Sequence, residues 1–435
     1  MSGASKIRVL VVHKGSRDHF LAARALFKRG NLAGVVTDIR APKSAGLAAI
    51  LSRSRFSVLK RWAAAKADDI PDSYLLSIGW SAIGVRSTAW LMAKLGWAYK
   101  GFEISDAMFA RAVARRDWPA HEIVFAYSYA ALELIEAEKK KGILTVLNQI
   151  DPGPGDEDLV QAEERRWPEY VLRPYRLPQG YVDRVKREWK LADIIVVNSE
   201  WSRDRIAAAG AEAGKIKVVP LAYERDHGTT GPRDYGTGSG PVAPSLTSNL
   251  PPPPSGPLKV LWVGNVNVRK GIQYVVEAAR MLDHQPVEFI VAGEIGVPRK
   301  VIDSSPGNIQ WLGPLPRPEA QRLYEDAGVF VLPTLSDGFA MSQLEALANG
   351  VPVIVTANCG RVVEDGKSGF VVSHGDVDAL ASVIRRFIYD RSLSSRMSEE
   401  CRKRATDFTL DAYGSRLMEI VDSHVQIRKV EFSRA

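Results

Sequence analysis

Short β-branched runs alternate with helix-spaced segments along most of the chain. Residues 7–12 form one such run, closed by His13-Lys14-Gly15-Ser16, and residues 20–29 then carry Leu21, Ala25 and Leu26 at helical spacing. Val35-Val36 and residues 122–126, 144–147, 194–198 and 216–220 repeat the strand pattern, with helical segments between them. Strands that alternate with helices predict a parallel sheet covered on both faces. Residues 226–257 break the pattern: Gly, Pro, Ser and Thr dominate, and Pro251 to Pro254 suit no packed element, so this stretch reads as a linker. The alternation restarts at 259–263 and continues through strands at 287–292, 309–311, 329–332 and 353–355, with helices at about 272–282 and 342–349. A second doubly wound domain is predicted there. After Thr409, a cap candidate, Leu410, Tyr413, Leu417, Ile420 and Val421 keep a helical stripe that needs something apolar to cover.

A length of 435 residues exceeds one typical domain and fits two, with 1–225 as the first, 226–257 as the linker, 258–405 as the second and 406–435 as a final helix. Apolar residues at 46% and charged residues at 25% exclude a largely disordered or fibrous chain. The net charge of +8 is uneven: residues 1–225 hold 36 Lys and Arg against 26 Asp and Glu, while the remainder is near neutral. A basic first domain faces either an anionic surface, polymer or lipid, or simply water. Within it, Arg53, Arg55, Lys60, Arg61 and Lys66 surround Phe56, Val58, Leu59 and Trp62. That amphipathic segment, 53–66, fits peripheral contact with an anionic membrane or a solvated helix packed on the sheet. Residues 74–99 are the most apolar long stretch, but Arg86, Lys94, Gly84 and Gly96 interrupt it, so no membrane crossing is expected. Two cysteines and no room for a leader before the first strand favour the cytoplasm. No metal-ligand spacing and no nucleic-acid module is present.

The most informative stretch runs from Ser336 to Pro352. Asp337 and Gly338 end a loop, a helix begins between Phe339 and Ser342, Gly350 stops it, and a strand follows Pro352. The free N–H groups and positive dipole end of such a helix suit a diphosphate, and Gly338 permits close backbone approach. Glu345, one turn in, suits the vicinal hydroxyls of a ribose, and Asp337 suits sugar hydroxyls.

Asp337 and Glu345, separated by seven residues, resemble the E-x7-E motif of the retaining GT-B glycosyltransferases, particularly family 4. The likeness continues in Leu261 to Gly271, which resembles that family's strand-and-loop element ending in a basic residue before glycine. It extends to Val291-Ala292-Gly293-Glu294-Ile295-Gly296, to Trp311-Leu312-Gly313 and to Val363 to Phe370, all in the family's order. The resemblance implies a GT-B architecture, with two Rossmann-like doubly wound domains facing across a cleft, the last helix returning to the first domain. It implies transfer of a sugar from a nucleotide-diphosphate donor to a saccharide or lipid-linked acceptor, in polysaccharide or glycolipid synthesis, with no metal and no separate cofactor. Arg269 and Lys270 would neutralise the diphosphate, and Asp337 with the backbone of Gly338, Phe339, Ala340 and Met341 would hold sugar and phosphate. Glu345 would hold the ribose, and Gly15, Gly264, Asn265, Glu294 and Leu312 would complete the donor site.

Three positions depart from the family pattern. Asp337 stands for its first glutamate, Asn265 for its first basic residue after the glycine, and Tyr127 where a histidine is common. A phenol is a poor base at neutral pH, but these mechanisms use the leaving phosphate as base. The departures also fit a weak or inactive relative that only binds a nucleotide sugar or a partner. A dinucleotide oxidoreductase is discounted, because neither first strand leads into G-x-G-x-x-G. His13 reads as a site residue beside Gly15 or, as is more usual for a lone strand-end histidine, a structural one, and Asp151 as an acceptor-site candidate or a turn former.

Overall fold

The computed structural model describes residues 6–15, 17–38, 69–223 and 256–434. Its first sheet contains β1 (Val9–His13), β2 (Leu32–Thr37), β3 (Leu75–Ser77), β4 (Ile123–Tyr127), β5 (Leu144–Gln149), β6 (Ile194–Val197) and β7 (Ile216–Val218), in the order β3-β2-β1-β4-β5-β6-β7. The second contains β8 (Leu258–Val263), β9 (Val287–Ala292), β10 (Ile309–Gly313), β11 (Val329–Leu332), β12 (Val353–Thr356) and β13 (Gly369–Val372), in the order β10-β9-β8-β11-β12-β13. Every ladder between these strands is parallel. Helices cover both faces, so the central strands are buried along their whole length, as in Val9–His13 and Val329–Leu332. Strand order reverses beside β1 in one sheet and beside β8 in the other. Doubly wound sheets open a crevice for ligands at such a point, beyond the carboxyl ends of the strands.

Two features were not legible in the sequence. Leu75–Ser77 is three residues long, too short to alternate, and it forms the edge strand β3. The helices Ser81–Lys94 and Ala98–Ala114 follow it, and large apolar side chains on their outer face hide the usual amphipathic period. The basic segment 53–66 and the linker, apart from residues 256 and 257, lie outside the described residues. The last helix, Leu410–Arg434, lies against the helix Leu21–Arg29. A Cβ on Gly414 would stand 3.3 Å from that of Ala25, and Arg29 donates to Ser415 Oγ at 2.9 Å. Among the described residues, no helix is long and apolar enough to cross a membrane.

Candidate functional site

The carboxyl end of β8 is shaped by close backbone contacts. Gly264 N–H donates to Ala292 O at 3.0 Å, and Gly293, at φ 142°, lies so near that a Cβ would stand 1.6 Å from Gly264 O. No side chain fits there. Beyond the loop, Asn267 caps the single turn Val268–Lys270 by accepting Lys270 N–H at 3.0 Å. Gly271 then turns at φ 77°, its α-carbon packed so tightly that a Cβ would meet Pro333 O at 2.0 Å. These constraints fix Lys270, whose ammonium forms an ion pair with Asp337.

Asp337 is held from three sides. Its N–H donates to Asn358 O at 2.9 Å, and its carboxylate receives Lys270 and the Phe339 N–H. Burial drives the Asp337 carboxyl upward, but Lys270 and Arg269 outweigh it and leave its pKa below the usual carboxylate value. Burial likewise lowers the Lys270 ammonium, against the pull of Asp337. Ala340 adopts a left-handed conformation, φ 63° and ψ 73°, immediately before the helix Met341–Ala348. That turn sets the helix start two residues inside the loop, where its first N–H groups meet the cleft.

The cleft between the sheets holds a cavity of about 380 Å³. Of the residues singled out in the sequence, Gly264, Asn265, Lys270, Asp337, Phe339, Ala340 and Met341 line it together. Glu345 lies one turn below, half-buried, with Oε2 accepting the Tyr324 hydroxyl at 2.9 Å. Arg269 is turned aside: its guanidinium stands 3.9 Å from Asp156 of the first domain and 5.8 Å from the centroid of Tyr175. Gly15, Glu294, Leu312 and Gly338 are not among the lining residues. Gly15 N–H donates to Asp38 Oδ1 at 2.7 Å, and Glu294 O accepts Val266 N–H at 2.9 Å.

Gly338 instead joins the domains. Its carbonyl accepts the Ser199 hydroxyl, and a Cβ would stand 2.7 Å from Ile150 O and 2.9 Å from Asn198 Nδ2. Gly338→Ala is therefore expected to push this loop off the first domain and to lower the affinity for the nucleotide sugar that the sequence resemblance implies about tenfold, the equivalent of 1.4 kcal/mol. Calorimetric titration with a nucleotide sugar checks this, and unchanged affinity would contradict it.

The first domain supplies Asp18, Ile150, Asn198 and Leu221 to the same cavity. Ile150 adjoins Asp151, an acceptor-site candidate of the sequence, whereas Asn198 and Leu221 were not legible there, because each reaches the cleft through tertiary packing. A faint signal existed for Asp18, which follows the first strand's turn. It opens three successive left-handed residues, Asp18, His19 and Phe20, a strained run of the kind that collects at ligand sites. His13 is buried, with Nδ1 3.0 Å from Gly15 O and its ring edge-on to Tyr127 at 4.0 Å. Asp151 Oδ1 gathers the Tyr129 hydroxyl, Gln149 Nε2 and Gly153 N–H, each at 2.9 Å, the pattern of a turn former.

The loop after β4 rests on Glu188. This buried carboxylate accepts N–H groups from Tyr129 at 2.7 Å, Ala131 at 2.9 Å and Leu132 at 3.0 Å. Burial pushes its pKa up from 4.5 to about 7, against the opposing pull of Arg184 and the N–H donors. A raised folded-state pKa gives stability that is full below pH 4.5 and lost as the pH rises through 7. The stability of the protein relative to Glu188→Gln is thus expected to fall by about 3 kcal/mol between pH 4.5 and 8. Parallel unfolding curves for the two proteins across that range would contradict it.

The architecture is shared with solved structures of other proteins. The Anabaena protein Alr3699/HepE, solved in complex with UDP and glucose, superposes with a TM-score of 0.58 at 14% identity, covering 96% of this chain and all of that one. The fold is therefore GT-B, two Rossmann-like domains facing across the cleft. Residues 249–404 match the family described as Glycosyl transferases group 1. The amylovoran biosynthesis glycosyltransferase AmsK of Erwinia amylovora is 28% identical over 145 residues, 30% of this chain and 36% of its own. The D-inositol 3-phosphate glycosyltransferase of Streptomyces avermitilis is 26% identical over 257 residues, 55% of this chain and 53% of its own. The chain spans about half the length, or less, of the curated relatives it matches.

Proposed function

We propose that the protein is a retaining glycosyltransferase of the family-4 type. It moves a sugar from a nucleoside diphosphate to a hydroxyl of a saccharide or lipid-linked saccharide, in the cytoplasm and without a bound metal. The observation that carries this reading is the meeting of Lys270, Asp337 and the start of the helix Met341–Ala348 in one cavity lined by both domains. A cation and aligned N–H groups are what a departing diphosphate needs as its charge grows. The names of the two curated relatives, an amylovoran biosynthesis glycosyltransferase and a D-inositol 3-phosphate glycosyltransferase, support the same reading. The cysteines Cys359 and Cys401, both buried and unbridged, agree with a reducing compartment.

In the reaction, the bond between the sugar C1 and the β-phosphate oxygen breaks, and its electron pair stays on that oxygen. Lys270 and the helix N–H groups stabilise the charge there, while Arg269, already oriented by Asp156, adds a second positive charge nearby. The acceptor hydroxyl attacks C1 from the face the diphosphate leaves, and its proton passes to the departing phosphate oxygen. Asp337, released from Lys270 by the donor phosphates, takes sugar hydroxyls, and Glu345 takes the ribose. Asp337 and Asn265 then bear on which sugar is accepted.

A panel of nucleotide sugars offered to the purified protein, with and without EDTA, tests the reading. One donor is expected to release its nucleoside diphosphate equally in both conditions, and the anomeric protons of the product should keep the donor's configuration. Donor binding without turnover of any donor would favour the inactive relative.

A further inference from the structure

The helices Ser81–Lys94 and Ala98–Ala114 pack on each other through small contacts. A Cβ on Gly84 would lie 3.4 Å from Met108 Cε, one on Gly101 would lie 2.7 Å from Met92 Cβ, and Thr88 Oγ1 is 3.7 Å from Met108 Sδ. Ala82, Val85, Phe109 and Val113 point into the core. The remaining face carries Trp80, Ile83, Trp90 and Leu91 at helical spacing, and the connecting turn adds Leu95 and Trp97. The three tryptophans are 65%, 59% and 61% exposed, far from the usual state of this residue. From residue 73 to 102 the only charged side chains are Arg86, Lys94 and Lys100; Arg86 lies 3.7 Å from Asp38, and Lys100, itself exposed, pairs with Glu103 at 3.0 Å.

We propose that this helical hairpin is a docking surface for an anionic lipid bilayer, its turn inserted at the headgroup level. Tryptophan favours that interface because its ring is apolar and its N–H is not, and the lysines beside it complement anionic headgroups. A second copy of the chain fits less well, since a two-fold contact would bring the basic side chains of both copies together. The hairpin is also rooted beside the cleft. Ser105 and Asp106, on its second helix, hold the ammonium of Lys14, which leads from β1 into the Gly15 turn. A bilayer on this face would present an acceptor carried on a lipid to the first domain's strand ends. That choice of acceptor rests on the transferase reading; the docking surface itself does not.

Co-sedimentation with vesicles of phosphatidylglycerol and phosphatidylethanolamine, 1:3, against pure phosphatidylcholine, tests the surface. The full chain is expected to bind the anionic vesicles and to release them in high salt. Trp90→Ser with Trp97→Ser should lower the bound fraction at least tenfold, and Lys94→Glu with Lys100→Glu should do so on anionic vesicles alone. The lysine pair keeps the test informative if the tryptophan variant unfolds. Failure of the full chain to bind anionic vesicles, or equal binding by both variants, would overturn the proposal. So would a dimer by light scattering that the tryptophan variant abolishes. None of these readouts needs a donor, so donor binding can succeed while docking fails, and the reverse.

Discussion

Lys270→Ala is expected to lower kcat/KM for sugar transfer by about 10²–10³-fold, the usual cost of removing one preorganised group from a developing charge. The same change strips Asp337 of its closest counter-ion. With 16% of its side chain exposed, the carboxylate is only partly screened by water, so a loss of about 1–3 kcal/mol of stability should accompany the loss of activity. The two effects separate in a second variant. Lys270→Ala combined with Asp337→Asn removes the stranded charge and should recover most of the melting temperature while activity stays low. Recovery of activity along with stability would mean that Lys270 acts only by holding the loop.

Glu345→Ala should raise KM for the donor about 10- to 100-fold, with kcat changed less than about threefold. A hydrogen bond to a charged group contributes roughly 1.5–3 kcal/mol, and a ribose held by Glu345 would be bound alike in ground and transition states. Tyr324 steadies this carboxylate from below, and its buried hydroxyl loses its partner in the variant. Tyr324→Phe supplies the control: it keeps Glu345, so the donor KM should move only slightly. Equal KM values for Glu345→Ala and the unaltered protein would remove Glu345 from the donor site.

The sequence carried the second domain further than the first. β8, β9, β11 and β12 fall within a residue of the expected runs because buried parallel strands are near-continuous apolar stretches bounded by Gly and Pro. The loops that line the cavity were legible for a similar reason: Gly271, Gly293 and Gly338 sit where the backbone passes too close for a side chain, and Lys270 is fixed by a local turn. Arg269 shows where such reading stops. Its neighbour faces the cavity, but the guanidinium is drawn to Asp156 and Tyr175, 113 and 94 positions earlier in the chain, and no local pattern announces that. Tyr127 is similar, since burial against His13 is a property of two strands brought side by side. The outward tryptophans of the hairpin inverted the usual rule that apolar side chains mark the core, so the rule missed the helix they stand on.

Calorimetric titration of the unaltered protein and of Lys270→Ala with UDP-, GDP- and ADP-sugars decides whether the cavity between the two sheets binds a nucleoside diphosphate sugar through Lys270 and the Met341–Ala348 helix start. One donor should bind the unaltered protein with a Kd in the micromolar range, at one site per chain, and Lys270→Ala should weaken it at least tenfold. No binding by any of the three donors, or binding that Lys270→Ala leaves untouched, would mean that this cavity is not a donor site built on Lys270.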